Sequence, residues 1–304
     1  MNHATPLSPE ATAAVLPYPE LARAIAALLG DASVTVPPRI VMPLPSGGSL
    51  FVMPATDARV AITKLISFVA DNGLHGLPAI QGDVVVFDAR NGRRLCLLDG
   101  PTVTARRTAA VSLLAAQTLA ARPQGPLLVV GAGVQGRAHL EAFAAGLGVK
   151  EVWVHSRTRS SAEGLARHAN ALGLQSRVVE DPDAALPHCP LVVSCTSAQA
   201  IALRGTPRDD AFVSAVGAFT PRMVEWSPEV CRHIAAHGTL VVDTRDADHE
   251  AGDLLQAGLD VGTLPTLAQV LGQPRPSRGP VFFKSCGWAG WDLAAARLVV
   301  DGLT

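Results

Sequence analysis

Residues 127–143 read LLVVGAGVQGRAHLEAF, an apolar run followed by a turn carrying Gly131, Gly133 and Gly136 and then by an amphipathic stretch. A short apolar run bounded by turn residues predicts a buried strand, and the apolar spacing after it predicts a helix. In such a turn the first glycine permits the tight bend, the second lets a pyrophosphate approach the backbone, and the third lets helix and strand pack closely. The exposed backbone N–H groups and positive end of the helix dipole favour an anion there. Three glycines in a turn are a weak signal alone, but a strand directly before them and a helix directly after give the pattern its dinucleotide-binding reading.

Downstream the pattern alternates. EVWVHSR, SRVVE, LVVSCT, AFVSAVGA and TLVVDT read as strands, and SAEGLARHANAL and PDAALPH as helices between them. That alternation predicts an α/β fold with a Rossmann-type doubly wound parallel sheet. An acidic residue about twenty positions after the glycines would hold the ribose hydroxyls of NAD. Here the second strand ends in Ser156, Arg157 and Thr158, followed by Arg159. Hydroxyls and guanidinium suit a 2′-phosphate, so the expected cofactor is NADPH, with NADH the weaker binder. A solvated basic loop is the bland alternative.

Upstream the periodicity differs. PELARAIAALLG predicts a helix ended by Gly30; RIVMPL, SLFVMPA and VAITKLISFV predict strands, with PSGG as the first turn. GDVVVFDARNGRRLCLLDG predicts a hairpin turning at Asn91-Gly92, a dipeptide that tolerates positive φ. This segment reads as an α+β domain built on an antiparallel sheet, joined to the Rossmann part by the helix VTARRTAAVSLLAAQTLA. The tail VFFKSCGWAGWDLAAARLVVDG reads as an apolar helix returning to the first domain. The expected division is residues 1–115 with 286–304, for substrate binding and dimerisation, and 116–285 for the cofactor.

The 304 residues, 48% hydrophobic and 17% charged, exclude a disordered chain, and a net charge of −1 leaves no footprint for nucleic acid or an anionic membrane. No apolar run is long enough to span a membrane, and the N-terminus lacks a basic region followed by an apolar one, so a cytoplasmic protein is expected. Cys96, Cys189, Cys195, Cys231 and Cys286 are widely spaced and read as small buried hydrophobes. Arg39, Lys64 and either Arg106 or Arg107 are cations among apolar neighbours, where anionic partners are needed. His75, His139 and His155 read as structural or solvated. The acidic stretch DTRDADHEAGD lacks metal-site spacing, and Trp288 and Trp291 divide between pocket wall and packing.

Taken in order, MPAT…ITKLISF, GPTVTARRTAAVSLLAA, VVGAGVQGRAHLEAF, VWVHSRT, VVDTRDADHEAGDLL and VFFKSCGWAGWDLAAARLV resemble the ornithine cyclodeaminase and mu-crystallin family over nearly the whole chain. The resemblance implies a homodimer built through the N-terminal sheet domain and an active site between the two domains. It implies that Arg39, Lys64 and Arg107 bind the substrate carboxylate, Lys64 and Arg107 with catalytic roles, and so favours Arg107 over Arg106. It further implies that Val134, Gln135, Thr196, Val216 and Ser285 line the cofactor. One departure is functional. Where cyclodeaminases carry a deaminating aspartate, the stretch VGAFTPRMVEW has Phe219, and a phenyl ring takes no proton from an amine. Mu-crystallin, a ketimine reductase, also lacks the aspartate. The resemblance therefore implies NADPH-dependent reduction of a small cyclic imino acid, Δ1-pyrroline-2-carboxylate or Δ1-piperideine-2-carboxylate, to L-proline or L-pipecolate. The alternatives are an ornithine cyclodeaminase, an amino-acid dehydrogenase, or a non-catalytic protein binding NADPH and a small carboxylate.

Overall fold

A computed structural model describes residues 6–45, 47–276 and 279–303. The expectations for the N-terminal residues 1–5 and for Ser46 in the PSGG turn lie outside the described residues. The chain divides into two compact units, Met1–Arg107 with Trp288–Thr304, and Thr108–Gly287. The first unit runs through α1 (Pro9–Ala14), α2 (Tyr18–Leu29), β1 (Ile40–Pro43), β2 (Ser49–Thr56), β3 (Val60–Phe68), β4 (Ile80–Asp88) and β5 (Arg94–Asp99) into α3 (Gly100–Leu119). The second contains β6 (Leu127–Val130), α4 (Val134–Leu147), β7 (Glu151–His155), α5 (Arg159–Ala171), β8 (Gln175–Val178) and α6 (Pro182–Ala185). It continues through β9 (Leu191–Ser194), β10 (Phe212–Ala215), α7 (Pro228–His237), β11 (Thr239–Val242), α8 (Gly252–Gln256), α9 (Leu267–Val270) and β12 (Val281–Lys284). The chain then returns to the first unit as α10 (Ala289–Leu303).

In the first unit β1 to β5 form an antiparallel meander in chain order. Strand β3 alternates, with Val60, Ile62 and Ile66 on the buried face and Leu65 on the other. The two-residue period therefore carries Lys64 inside with Ile62 and Ile66. Helix α10 packs against α2, β2 and β3 on that side. The β4–β5 hairpin turns at Asn91-Gly92, but only Gly92 takes a positive φ, +72°. The loop closes by Gly92 N–H donating to Asp88 O, and Asp88 also accepts from the Arg90 backbone and side chain. A two-residue turn with both centres at positive φ is thus replaced by a longer loop with one glycine, and the register shifts between Val86 and Phe87.

Seven parallel strands make the second unit's sheet, in the order β11-β12-β10-β9-β6-β7-β8. The doubly wound α/β fold expected from the alternation is present. Order reverses between β6 and β9, the position at which such sheets open a ligand crevice beyond their carboxyl ends. Two local readings need correction. VFFK is not helical but forms β12, inserted between β10 and β11 and buried at every position. Strands buried on both faces lose their alternation, so a short apolar run gives no period to distinguish it from a buried helix. Helix α7 follows Ser227, whose hydroxyl accepts from Val230 N–H, with Pro228 at the first helical position. That N-cap signal was present in the sequence, with Val230, Cys231 and Ile234 at helical spacing behind it. Trp226 meets Phe282 edge to face at 5.6 Å within the core.

Cys96, Cys189, Cys231 and Cys286 are buried and Cys195 is half-buried, all with free thiols. No helix among the described residues is long and apolar enough to cross a membrane. The return of α10 is secured by Arg297, which bonds Asp31 at 2.6 Å and also engages Asp57. Asp57 is buried and caps the β2–β3 turn through the N–H groups of Arg59 and Val60. Arg297→Ala strips this carboxylate of its cation and is expected to lower unfolding stability by about 3 kcal/mol, read by chemical denaturation, with Arg297→Lys losing less.

Candidate functional site

The glycine-rich turn joins β6 to α4. Gly131 has φ +116°, and a Cβ there would lie 2.6 Å from Cys195 O, so only glycine fits. A Cβ on Gly136 would lie 2.0 Å from Gly131 O, which is the close strand-to-helix packing such a turn needs. A Cβ on Gly133 would meet nothing within 4 Å, leaving space over the turn. Gly133 is also the N-cap of α4, with no side chain capping the helix. The first N–H groups of α4 are therefore available to an anion. Val134 is 71% exposed at the same place, and Gln135 Oε1 is buried with no hydrogen-bond partner among the described residues. An apolar side chain in the open and an orphan amide oxygen fit a turn that receives a dinucleotide.

The turn is held from beneath. Ser214 Oγ donates to Ser112 Oγ at 2.8 Å, and Ser112 lies 2.9 Å from His139 Nε2. Burial depresses His139 to about 4, so its ring is neutral near pH 7. Because a carbonyl only accepts, Nδ1 carries the proton and donates to Gln135 O at 2.8 Å. His139 thus fixes the first turn of α4 as a structural residue. His155 likewise bonds Val179 O, and His75 is exposed.

After β7, Ser156 is half-buried while Arg157 and Thr158 are exposed. Thr158 Oγ1 donates to Ser161 Oγ at 2.7 Å. Arg159 is engaged with Glu163 at 2.9 Å and Glu180 at 3.1 Å, leaving Arg157 as the guanidinium without an ion pair among the described residues.

Two buried carboxylates hold the carboxyl ends of the central strands. Glu225 accepts from Thr196 N–H at 2.7 Å, Gly217 N–H at 2.8 Å and Ser194 Oγ at 3.0 Å. Asp253 accepts from the N–H groups of Glu225 and Trp226 and pairs with Lys284 Nζ at 2.7 Å. Burial and the nearby Asp253 raise the Glu225 pKa, with Lys284 opposing. Burial works against the Lys284 ammonium, yet Asp253 and its other anionic neighbours hold its pKa above the ordinary lysine value. Ser285 Oγ donates to Asp243 Oδ2, which also receives the N–H groups of Cys286 and Gly287. Thr196, Val216 and Ser285 therefore stand on braced strand ends, with Val216 N–H bonded to Ser194 O. Phe219 packs against the unit's hydrophobic core.

In the first unit Lys64 and Arg107 converge on Asp292 of α10. Lys64 Nζ lies 2.8 Å from Oδ2 and Arg107 Nε 3.2 Å from Oδ1, with all three side chains buried. Burial lowers the Lys64 pKa to about 8, with Asp292 opposing and the charges of Arg107 and Arg39 reinforcing the fall. Arg39, half-buried just before β1, is thus near enough for its charge to act on Lys64. Arg106 points elsewhere: its guanidinium stacks on Tyr18 at 3.9 Å and donates to Leu16 O. Trp288 and Trp291 meet edge to face at 5.0 Å at the start of α10. The acidic stretch 243–253 contains no group able to hold a metal ion among the described residues.

Asp292, Glu225 and Lys284 were not singled out from sequence, and Asp253 was noted only as part of the acidic stretch DTRDADHEAGD. The available signal was a charge inside an apolar run, as in WDLAAARLVV and VFFKS, which periodicity treats as noise rather than as a buried pair.

These features define a two-unit α/β protein with a dinucleotide-type turn and a separate buried cation cluster. The chain belongs to the ornithine cyclodeaminase/mu-crystallin family, whose sequence model matches residues 18–304. It is 39% identical over 298 residues to Delta(1)-pyrroline-2-carboxylate reductase 1 of Burkholderia multivorans, covering 96% of this chain and 94% of that one. It is 38% identical to a Delta(1)-pyrroline-2-carboxylate/Delta(1)-piperideine-2-carboxylate reductase of Azospirillum brasilense, with the same coverage. Among solved structures, Delta(1)-pyrroline-2-carboxylate reductase of Thermococcus litoralis, in complex with NADH and L-proline, matches with a TM-score of 0.84 at 25% identity, covering 97% of this chain and 93% of that one.

Gly131→Ala places a methyl group against Cys195 O in a backbone conformation alanine avoids. It is expected to cost about tenfold or more in dinucleotide affinity by fluorescence titration, while Ala132→Gly retains binding.

Proposed function

We propose that the protein is an NADPH-dependent ketimine reductase converting Δ1-pyrroline-2-carboxylate, and its six-membered homologue Δ1-piperideine-2-carboxylate, to L-proline and L-pipecolate. The observation that carries this reading is the buried pair Lys64 and Arg107 sharing the single carboxylate of Asp292, with the charge of Arg39 acting on Lys64. Two sealed cations against one anion leave positive charge that a substrate carboxylate would balance. Burial lowers the Lys64 pKa to about 8 and Asp292 opposes that fall, supporting the positive charge the field needs.

Gly131, Gly133, Val134, Gln135 and Gly136 would hold the pyrophosphate of NADPH. Ser156, Arg157 and Thr158 would hold its 2′-phosphate, Thr196 would line the cofactor, and Val216 and Ser285 would lie near the nicotinamide. When bound, the cofactor supplies the hydride. The remaining work falls to side chains that fix the substrate. An imine protonated at its ring nitrogen is already activated at the neighbouring carbon, so Arg39, Lys64 and Arg107 need only hold its carboxylate in one orientation. Phe219 offers no base for removing an amine, which weighs against cyclodeamination of ornithine.

The protein is also proposed to act as a homodimer through the outer face of its antiparallel sheet. Ile40 pairs with Val52 and Val52 with Leu65, while Met42 pairs with Leu50. These side chains share one face, on which Ile40 is 55%, Met42 50% and Leu65 45% exposed. Met42→Glu with Leu65→Glu is expected to give a monomer by light scattering, against a dimer for the unsubstituted chain.

The decisive assay follows NADPH oxidation with Δ1-pyrroline-2-carboxylate, beside NADH and beside ornithine with NAD. Rapid turnover with NADPH is expected. Arg157→Ala should then raise the NADPH KM about tenfold, the worth of a charge-assisted contact, and leave the NADH KM nearly unchanged. Proline formed from ornithine, with the imine inert, would sink the reading; saturable NADPH binding without turnover on any substrate would make the protein a binder.

A further inference from the structure

We propose that Asp292 is a positioning residue for the substrate site, holding Lys64 and Arg107 in place with their charges intact so that an incoming carboxylate meets an organised pair. This rests on the ketimine-reductase reading for the identity of that carboxylate. The charged groups acting on Lys64 of β3 come from three other segments: Asp292 on α10, Arg107 on α3 and Arg39 before β1.

Asp292 does not take up all the donors around it. Lys64 Nζ and Arg107 Nε lie 2.8 and 3.2 Å from its two oxygens, so an ammonium with three N–H groups and a guanidinium with five face a single carboxylate. The pairs therefore fix position and charge while the donors keep directional capacity for a second acceptor. A stability role explains the arrangement poorly. Burying a carboxylate and two cations costs desolvation that an apolar trio of similar volume would avoid. Helix α10 is moreover anchored independently by Arg297 with Asp31 and Asp57 and by its buried Trp291, Leu293 and Val299. Without Asp292, Lys64 would face burial and two like charges with no opposing charge among the groups acting on it. Loss of its proton is then the cheapest response.

The test is Asp292→Asn, which keeps size and removes charge. The chain's lysines are Lys64, Lys150 and Lys284, so lysine-selective 13C labelling gives an NMR titration with one assignable signal for each. The Lys64 midpoint is expected to fall by about one pH unit or more, with Lys150 and Lys284 unmoved. The imine KM should rise about tenfold or more, with the NADPH KM within about twofold. Asp292→Glu, which restores the charge at a different reach, should return the Lys64 midpoint while recovering only part of the KM. An unmoved Lys64 midpoint, or an unchanged imine KM in a folded Asn variant, overturns the proposal. If the Asn variant fails to fold, the Glu variant decides: an imine KM equal to that of the unsubstituted protein overturns positioning, and a severalfold rise supports it. The lysine titration needs no substrate. A protein inert toward the imine thus strikes the ketimine reading alone, and an unmoved Lys64 strikes the Asp292 proposal with turnover intact.

Discussion

The contact of Asp292 with Lys64 and Arg107 ties together the first unit's last helix, its central strand and the helix that leaves it. Each partner is sealed from water, so none keeps its charge cheaply without the others. The two-residue period of β3 turns Lys64 inward between Ile62 and Ile66, and α10, the element packed on that face, carries the carboxylate. A C-terminal helix thus completes a sheet laid down near the N-terminus. Arg297, through Asp31 and Asp57, and the buried Trp291, Leu293 and Val299 hold α10 in place, so Asp292 is left to organise the two cations.

The second unit solves a related problem with opposite polarity. Its parallel strands end where irregular backbone must turn away from the sheet, and those turns leave buried N–H groups in need of acceptors. Glu225, Asp253 and Asp243 provide them, at Thr196 and Gly217, at Glu225 and Trp226, and at Cys286 and Gly287. Lys284 offsets the accumulated negative charge through Asp253. The carboxyl edge of the sheet, where doubly wound folds receive their ligands, is consequently braced by side chains rather than left as loose loops.

The glycine turn was legible because its requirement is local: Gly131 at φ +116° and Gly136 against Gly131 O admit no Cβ, and the sequence shows that directly. The alternation of β6 to β9 with helices was legible because turn residues and amphipathic helices bracket the short apolar runs, which carry no period of their own. What escaped depends on partners far apart in the chain. VFFK forms β12 because two strands already flank the slot, a fact absent from its own four residues. Asp292 reads as one acid in an apolar helix until β3 and α3 bring Lys64 and Arg107 to it. Spacing alone left Arg106 and Arg107 equivalent. The structure separates them, because Tyr18 and the Leu16 carbonyl take the first while Asp292 takes the second.

Burial of charge is common to both units, yet the two clusters differ in what they leave unsatisfied. Around Glu225 and Asp253 the carboxylates outnumber the ammonium, but their oxygens are occupied by N–H groups and a hydroxyl, so the surplus is already solvated by the protein. Around Asp292 the cations outnumber the carboxylate, and the Lys64 ammonium and Arg107 guanidinium carry more N–H donors than its two oxygens take up. A satisfied cluster has no use for a ligand, whereas an unsatisfied one lowers its free energy by accepting an anion. The sign of the surplus already favours the cluster around Asp292 for an anion, and hydrogen-bond accounting agrees, which gives the proposed carboxylate site its physical basis.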